Sequence, residues 1–396
     1  MVWKKLLSGM KMKLEQELKN KTIIIATHEY ATGPSHALEN YLSKLAGKLL
    51  FIGHPFIFAK DKRSYFKFYK NSILVEKKYF PAFLTNQIVS SIKDAILSIY
   101  WVIKKGKFDI YIGVDGLNAT IGVLLKKMGL AKKVVFYTID FVPVRFKNKL
   151  LNWLYHLLDK IAVEGSDKVW NLSSVMVTER EKRGIGKEFR KKQIVVPVGT
   201  ESGISRMPFK KIKRYHVGHM GHLIKKQGIQ LVIEAIPYII KQIPNFHFDV
   251  IGGGEYEEDL QKLAYKLGVL KYVTFYGFVE NHQEVERMLS TCAIGVAPYV
   301  NSEDNYVRYT DPGKVKAYLA AGLPVVITKV PLAAYEIEKN ECGIAIKYDK
   351  TEFAEAIIKL LTNKDLLIKF RKNSLKMAKK YTWNNIFDKA IKETIS

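Results

Sequence analysis

Long apolar runs are missing from this sequence. The longest candidate, Ala95–Ile103, ends after nine residues at Lys104 and Lys105, well short of the about 18 residues that cross a bilayer. Cysteine is nearly absent: Cys292 and Cys342 stand far apart and form no CxxC or Cys/His spacing, so neither a zinc site nor a disulfide framework is expected, and a reducing cytoplasm is. No leader is expected either, because the apolar residues of Met1–Lys21 are spaced rather than contiguous. Acidic residues are scarce, 38 Asp and Glu against 64 Lys and Arg, which leaves +26. No DxD triplet stands at a strand end, and no metal or other cofactor is expected.

What is present is ample apolar material. The 396 residues are 48% hydrophobic and 12% aromatic, which excludes a disordered chain and suits two domains. The positive excess concentrates anionic partners near the surface. Nucleic acid, an anionic membrane face and a phosphorylated small molecule all fit that charge. The basic residues are spread along amphipathic helices with no nucleic-acid motif among them, so nucleic acid is not the expected partner. Trp3, Leu6, Leu7, Met10, Leu14 and Leu18 recur at spacings of three and four among lysines. Residues 1–21 therefore read as a basic amphipathic helix, able to lie in an anionic membrane interface or to dock on its own domain.

Short apolar runs alternate with helical patterns through the chain. In the first half, Thr22–Ala26, Asp109–Val114, Lys133–Thr138, Val175–Val177 and Gln193–Pro197 read as strands. Ala37–Leu50, Asn86–Lys105, Ala119–Met128 and Asn148–Val163 read as helices. Met207–Arg214 has a linker's composition, and a second series follows. Its strands are expected at Tyr215–Gly218, His247–Ile251, Val273–Tyr276, Ile294–Pro298, Pro324–Thr328 and Gly343–Ile346. Its helices are expected at Gln227–Gln242, Tyr256–Lys266, Gln283–Ser290, Gly313–Ala321 and Thr351–Leu361, with Leu366–Ile395 helical and broken near Tyr381. This is an α/β chain of two doubly wound, Rossmann-like halves. The expected domains are 1–204, 205–380 and a final helix at 381–396 returning to the first domain. Ligands of such sheets bind at the carboxyl ends of the strands.

The second half carries the specific motifs. His216-Val-Gly218-His219-Met220 ends a strand, and Lys225-Lys226-Gln-Gly228 opens the next helix. Glycine admits a close backbone approach, and a helix start favours phosphate. Next come Gly252-Gly253-Gly254 after a strand, Gly277-Phe278-Val279, Ala297-Pro298-Tyr299, and Tyr309-Thr-Asp311-Pro-Gly-Lys314. Ala320-Ala-Gly-Leu-Pro-Val-Val326 closes the series. Over about Tyr215–Ser396 these blocks resemble the C-terminal domain of the group 1 glycosyltransferases, retaining enzymes of GT-B fold.

The resemblance implies a nucleotide diphosphate sugar as donor and a glycan or lipid-linked acceptor. It implies diphosphate contacts at Gly218, His219, Lys225, Lys226 and Lys314. Nucleotide or sugar contacts would fall on Gly253, Phe278, Val279, Tyr299 and Asp311. The chain also departs from the family. His219 stands where an arginine is usual and Gln227 where a lysine is usual. The paired glutamates would fall on Tyr309 and Ala317, and an Asp-Pro-x-Lys segment replaces them. Glu303 and Asp304 are alternative sugar contacts on a neighbouring loop.

In the first half, Gly33, Ser35 and His36 mark the loop expected to face acceptor and donor. Asp115 reads as a helix cap. Asp140 occupies the position of a family His-Asp pair, with Ile139 in place of the histidine. Its carboxylate is the catalytic candidate, able to accept a proton from an acceptor hydroxyl, and the loss of both glutamates leaves an inverting mechanism open. Together with Tyr100–Lys105 and Arg145–Leu158, the basic amphipathic start suggests a basic apolar surface, cytoplasmic and peripheral on the inner membrane face; joined to it, the resemblance implies a hexosyltransferase of polysaccharide biosynthesis. A non-catalytic GT-B subunit and a nucleic-acid-binding protein are the rival readings.

Overall fold

The computed structural model describes residues 12–29, 32–82, 86–201 and 206–395. The chain divides into two compact units, Met1–Pro197 with Trp383–Ser396, and Val198–Thr382. Each is built on one sheet.

The sheet of the N-terminal unit runs β4-β3-β2-β1-β5-β6-β7-β8. Its strands are β1 (Thr22–Glu29), β2 (Lys48–Pro55), β3 (Tyr65–Lys70), β4 (Ile73–Tyr79), β5 (Phe108–Val114), β6 (Ala131–Thr138), β7 (Lys168–Asn171) and β8 (Gln193–Val195). The strands β1, β2 and β5 to β8 are parallel, and the buried ones read as continuous apolar runs, as strands covered on both faces do. Helices α1 (residues 12–19), α2 (Pro34–Leu42), α3 (Gln87–Lys105), α4 (Gly116–Lys127), α5 (Lys149–Gly165) and α6 (Val175–Lys182) belong to this unit. Within α1, Leu14 and Leu18 are buried, so this part of the basic amphipathic segment docks on its own unit. Residues 1–11 of that segment lie outside the described residues.

Three expectations change here. The helix read over Ala37–Leu50 ends at Leu42, and β2 begins at Lys48. Between them, a Cβ on Gly47 would stand 2.3 Å from the Lys19 carbonyl oxygen, so only glycine lets β2 start there. Val175–Val177 is not a strand but the first turn of α6, whose buried face is Met176, Val177 and Arg180; a run of three apolar residues cannot distinguish the two periods. Finally, β3 and β4 add an antiparallel hairpin to the edge. Asn71 and Ser72 both have positive φ, 47° and 67°, the two-residue turn that matches strand twist. Because β4 is mostly exposed, it shows no alternating pattern.

One buried cation fastens three elements of this unit. Arg180 is fully buried and donates to Asp159 at 2.8 and 2.6 Å, to Asn171 at 2.5 Å and to Thr138 at 2.8 Å. The fork geometry of guanidinium suits this bidentate pairing.

The sheet of the C-terminal unit runs β11-β10-β9-β12-β13-β14, every pairing parallel. The strands are β9 (His216–Met220), β10 (His247–Ile251), β11 (Val273–Phe275), β12 (Ile294–Ala297), β13 (Val325–Thr328) and β14 (Gly343–Ile346). The helices are α7 (Ile229–Ile239), α8 (Glu257–Lys266), α9 (His282–Ser290), α10 (Gly313–Ala320), α11 (Ala333–Lys339), α12 (Lys350–Thr362) and α13 (Lys364–Ala378). This is the doubly wound order whose direction reverses beside its first strand; here that point lies between β9 and β12. The last helix, α14 (Trp383–Ile395), belongs to the N-terminal unit. There Asp388 accepts from the Tyr41 hydroxyl at 2.5 Å, and Thr394 from the Trp170 indole at 3.2 Å.

Candidate functional site

At the reversal point of the C-terminal sheet, the loop after β9 meets the start of α10. Lys314, second residue of α10, reaches back so that its Nζ donates to Gln227 Oε1 at 2.6 Å. The same Nζ lies 3.4 Å from His219 Nε2 and 5.5 Å from the centre of the Tyr299 ring. Among the described residues Lys314 forms no ion pair with a carboxylate. Burial pushes its ammonium down to about 7, because charge is costly to hold away from water without a counter-charge. A cation at a helix start also opposes the helix dipole. The two positive features converge where an anion would satisfy both.

The neighbours of Lys314 fix its position. His219 is fully buried, and burial together with the Lys314 charge holds its imidazole far below its ordinary value. In the neutral ring, Nδ1 donates to the Val296 carbonyl at 3.3 Å, which leaves the Nε2 lone pair to receive Lys314. Gln227, also buried, accepts from Lys314 and donates through Nε2 to Tyr306 Oη at 2.8 Å. Gln227 therefore orients Lys314. Sequence reading missed this role, although the substitution itself marked the position.

The glycines divide by job. Gly218 does not end its strand but sits inside β9, paired with Asp249 and Gly295. A Cβ on Gly218 would meet Cys292 Sγ at 2.9 Å, so its small size serves packing against the segment after α9. The turn glycine is Gly221, with φ of +134° and the Lys314 Nζ 3.0 Å from where a Cβ would be. A Cβ on Gly252, itself at φ +138°, would stand 2.0 Å from the Gly221 carbonyl oxygen, and one on Gly254 2.4 Å from that of Leu223. The triple glycine thus lets two loops approach backbone to backbone. Gly253 is under no such constraint; its nearest neighbours are Phe278 atoms at 3.5 Å or more. Phe278 is 81% exposed, leaving a bare aromatic face beside Gly253, while Val279 packs on the core.

Asp311 changes role. It stands outside α10, whose N-cap is Pro312, and its largely buried carboxylate is held by two partners. One carboxylate oxygen accepts from the Val198 amide at 3.0 Å and the other pairs with buried Lys316 at 3.2 Å. Tyr299 is buried as well, and its hydroxyl has no partner among the described residues; its ring forms a wall beside Lys314. Lys226 pairs with Asp304 at 2.6 Å, which occupies both, and Lys225 is exposed. Lys314 is therefore the cation that the fold itself orients into this corner.

In the N-terminal unit, Asp140 is exposed and its carboxylate is taken up by Arg145. Gly33 is the N-cap of α2, where His36 Nδ1 accepts from the Gly33 amide and His36 Nε2 pairs with Glu29 at 3.0 Å. Ser35 is buried in the same turn. These three residues secure the start of α2.

A denser polar cluster lies nearby at the carboxyl ends of β1 and β5, the reversal point of this second sheet. His28 Nδ1 donates to Asp115 at 2.7 Å, and its Nε2 faces Asp94 at 3.4 Å. Burial alone would lower the His28 imidazole, but Asp115 and then Asp94 outweigh it and push it up to about 10. Buried His54 also pairs with Asp94, at 3.1 Å. Asp115 caps α4 as expected, accepting from the Asn118 amide at 2.9 Å. It does so at φ +86° and ψ 163°, a region that only glycine enters freely and that costs other residues about 1–3 kcal/mol. The sequence marked Asp115 as a cap but not the cluster, because His28 on β1, Asp94 on α3 and Asp115 after β5 meet only in the folded unit.

Comparison with known proteins follows this geometry. Residues 214–363 match the family model of group 1 glycosyl transferases. An uncharacterized glycosyltransferase of Methanocaldococcus jannaschii is 29% identical over 180 residues, 45% of this chain and 43% of its own. A GDP-mannose-dependent alpha-(1-6)-phosphatidylinositol monomannoside mannosyltransferase of Mycobacterium tuberculosis is 25% identical over 166 residues, 39% of this chain and 41% of its own. The matches thus span less than half the length of these relatives. HepE of Anabaena, solved in complex with UDP-glucose, superposes with a TM-score of 0.70 at 16% identity, covering 95% of this chain and 99% of that one. The fold is GT-B, with two Rossmann-like units.

Proposed function

We propose that this protein is a hexosyltransferase that moves a sugar from a nucleotide diphosphate sugar to a glycan or lipid-linked acceptor. The observation that carries the reading is Lys314, a partly buried ammonium without a carboxylate partner at the reversal point of the C-terminal sheet. A diphosphate there would supply the missing anion, with Gly221 allowing close approach and His219 and Gln227 aiming the amine. Exposed Phe278 beside Gly253 offers a stacking face for the base. The donors named for the relatives, GDP-mannose and UDP-glucose, are the first to test. Family precedent makes the transfer retaining, and the anomeric coupling constant of the product decides between retention and inversion. A thermal-shift series with UDP-, GDP- and dTDP-sugars is expected to raise Tm for one base, since a ligand bound only to the native state stabilises it. A flat response to all three would remove the central claim.

The acceptor's location at the cytoplasmic membrane face rests on a surface of the N-terminal unit. Along α3, Ile88, Ile92, Ile96, Tyr100 and Ile103 are each between 48% and 60% exposed. They recur every three or four residues, so they form one stripe. The α4 helix packs beside α3 and α5 beside α4, and these add exposed Leu124, Met128, Leu150 and Trp153. Lys104, Lys127 and Lys149 stand among them. Apolar side chains bordered by lysine suit the interface of an anionic bilayer. Among the described residues no helix is long and apolar enough to cross a membrane. The double variant Ile92→Asp with Ile96→Asp is expected to lose co-sedimentation with phosphatidylglycerol vesicles while keeping donor binding. Unchanged sedimentation would exclude this face.

A further inference from the structure

The start of α10 is fastened by charge. Its N-cap is Pro312, its first residue is Gly313, and no side chain caps it with a hydrogen bond. Asp311 stands one place before the N-cap, and Lys316 is the fourth residue of the helix. An apolar pair at these two places often fixes the angle at which a chain enters a helix. Here the two are a carboxylate and an ammonium 3.2 Å apart, with side chains 9% and 1% exposed. Lys314 stands between them in the chain. We propose that Asp311 and Lys316 are positioning residues, whose buried pair fixes the first turn of α10 and thereby the direction of the Lys314 amine. Only the statement that this amine meets a diphosphate rests on the sugar-transfer reading.

Each member of the pair is held from further sides. The second oxygen of Asp311 accepts from the Val198 amide at 3.0 Å. Gly313 lies against the same residue, since a Cβ there would stand 3.3 Å from Val198 Cγ1. The Lys316 Nζ sits 3.6 Å from the centre of the Tyr381 ring and 3.7 Å from Glu336 Oε2. That oxygen also accepts from the Tyr381 hydroxyl at 2.9 Å. The Tyr381 carbonyl in turn accepts from the Thr200 amide at 2.8 Å. Val198 is the first residue of the C-terminal unit, and Tyr381 is its last but one. The first turn of α10 is thus tied to both ends of its own unit.

Stability alone does not call for this arrangement. Desolvation offsets most of the attraction within a buried ion pair, and two apolar side chains would stabilise about as well. What the charges add is a defined geometry, because an ammonium set over a ring and between two carboxylates has one place to sit. An eight-residue helix is also too short to hold its first turn by propagation alone. Residues two apart on a helix leave it in different directions. With Lys316 fixed on one side, Lys314 faces Gln227 at 2.6 Å and His219 at 3.4 Å on the other.

The test follows the pH titration of Lys314 by NMR in full-length protein labelled with 13C at lysine Cε, its signal identified by its loss in Lys314→Met. In the parent the amine titrates at about 7. Two variants are compared with it. Asp311→Asn keeps the shape and the acceptor for the Val198 amide, and leaves Lys316 with Glu336 and Tyr381. Asp311→Asn combined with Lys316→Met removes both charges together, so neither is left buried alone. In both, the loosened first turn admits water, and Lys314 is expected to titrate about one pH unit or more higher. The Gln227 side-chain signals, read with 15N-glutamine, should move as well. Ile236→Val, a change in the buried core of the same unit, is expected to lower Tm without moving the Lys314 titration, which separates positioning from stability. A Lys314 titration within about a third of a pH unit of the parent in both variants overturns the proposal. Affinity for UDP- and GDP-sugars, measured on the same samples, is expected to fall about tenfold in both variants. A moved Lys314 titration in a protein that binds no nucleotide sugar leaves the positioning pair standing and removes the donor site.

Discussion

Lys314→Ala is expected to weaken binding of the nucleotide diphosphate sugar about 10- to 100-fold, the equivalent of one charge-assisted hydrogen bond worth about 1.5–3 kcal/mol. Lys314→Met, which keeps the length of the stem, should lose nearly as much, because the charge and not the packing is removed. The pH dependence follows from the depressed value of about 7. Below that pH the free protein carries the ammonium and the anion meets a formed charge. Above it the amine is neutral, and binding the diphosphate must take up a proton. Affinity for a nucleotide sugar, whose diphosphate diester does not titrate near neutrality, should therefore fall by up to about tenfold per unit above pH 7. Titration calorimetry in buffers of different ionisation enthalpy should show proton uptake at pH 8 that disappears in Lys314→Ala. A pH-independent affinity, or uptake that persists in the variant, would remove Lys314 from the site. The same depression also acts on the free protein. Between about 7 and the unfolded value of 10.5 the unfolded chain binds the additional proton, so this group makes stability rise with pH across that window, and its cost is fully present below it.

The second large effect is structural. Gly228→Ala should destabilise the C-terminal unit by more than about 4 kcal/mol, the range reserved for backbone overlap and core disruption. A Cβ at Gly228 would stand 1.7 Å from the Pro298 carbonyl oxygen, and the residue itself sits at φ +79°. Neither obstacle can be relieved by moving a side chain, since the obstructing atom belongs to the loop after β12. The backbone that must shift carries Gln227 on one side and Tyr299 on the other, so the corner around Lys314 would lose its geometry with the fold. Chemical denaturation followed by far-ultraviolet circular dichroism measures this, since all five tryptophans, Trp3, Trp101, Trp153, Trp170 and Trp383, belong to the other unit. Gly33→Ala is the matched control: among the described residues a Cβ there meets nothing within 4 Å, and Tm should stay near that of the parent.

Much of the corner around Lys314 was legible beforehand because its elements are local in sequence. The Asp311-Pro-Gly-Lys314 segment starts a helix as expected, and the strands β10 and β14 fall where their apolar runs place them. What stayed hidden is which way each side chain points. Gly218 looked like a strand end because it is followed by polar His219. In the sheet, His219 continues the strand and turns inward, so the strand ends later and Gly221 makes the turn. Asp311 reads from the resemblance as a nucleotide or sugar contact, but Val198, 113 positions away, and nearby Lys316 hold its oxygens. In the first half, β4 escaped notice because an exposed edge strand has no buried face to imprint a period.

By itself the sequence determined the two-unit α/β architecture, the resemblance to group 1 glycosyltransferases and the positive excess of 26 charges. It could do so because apolar periodicity, turn chemistry and charge are properties of neighbouring residues. Only the tertiary structure decided that Lys314 has no carboxylate partner among the described residues, that His219 and Gln227 aim it, and that His28, Asp94 and Asp115 form one cluster. The contacting pairs lie 66 to 95 positions apart in the chain, and the packing of strands and helices, which local pattern does not encode, brings them within reach.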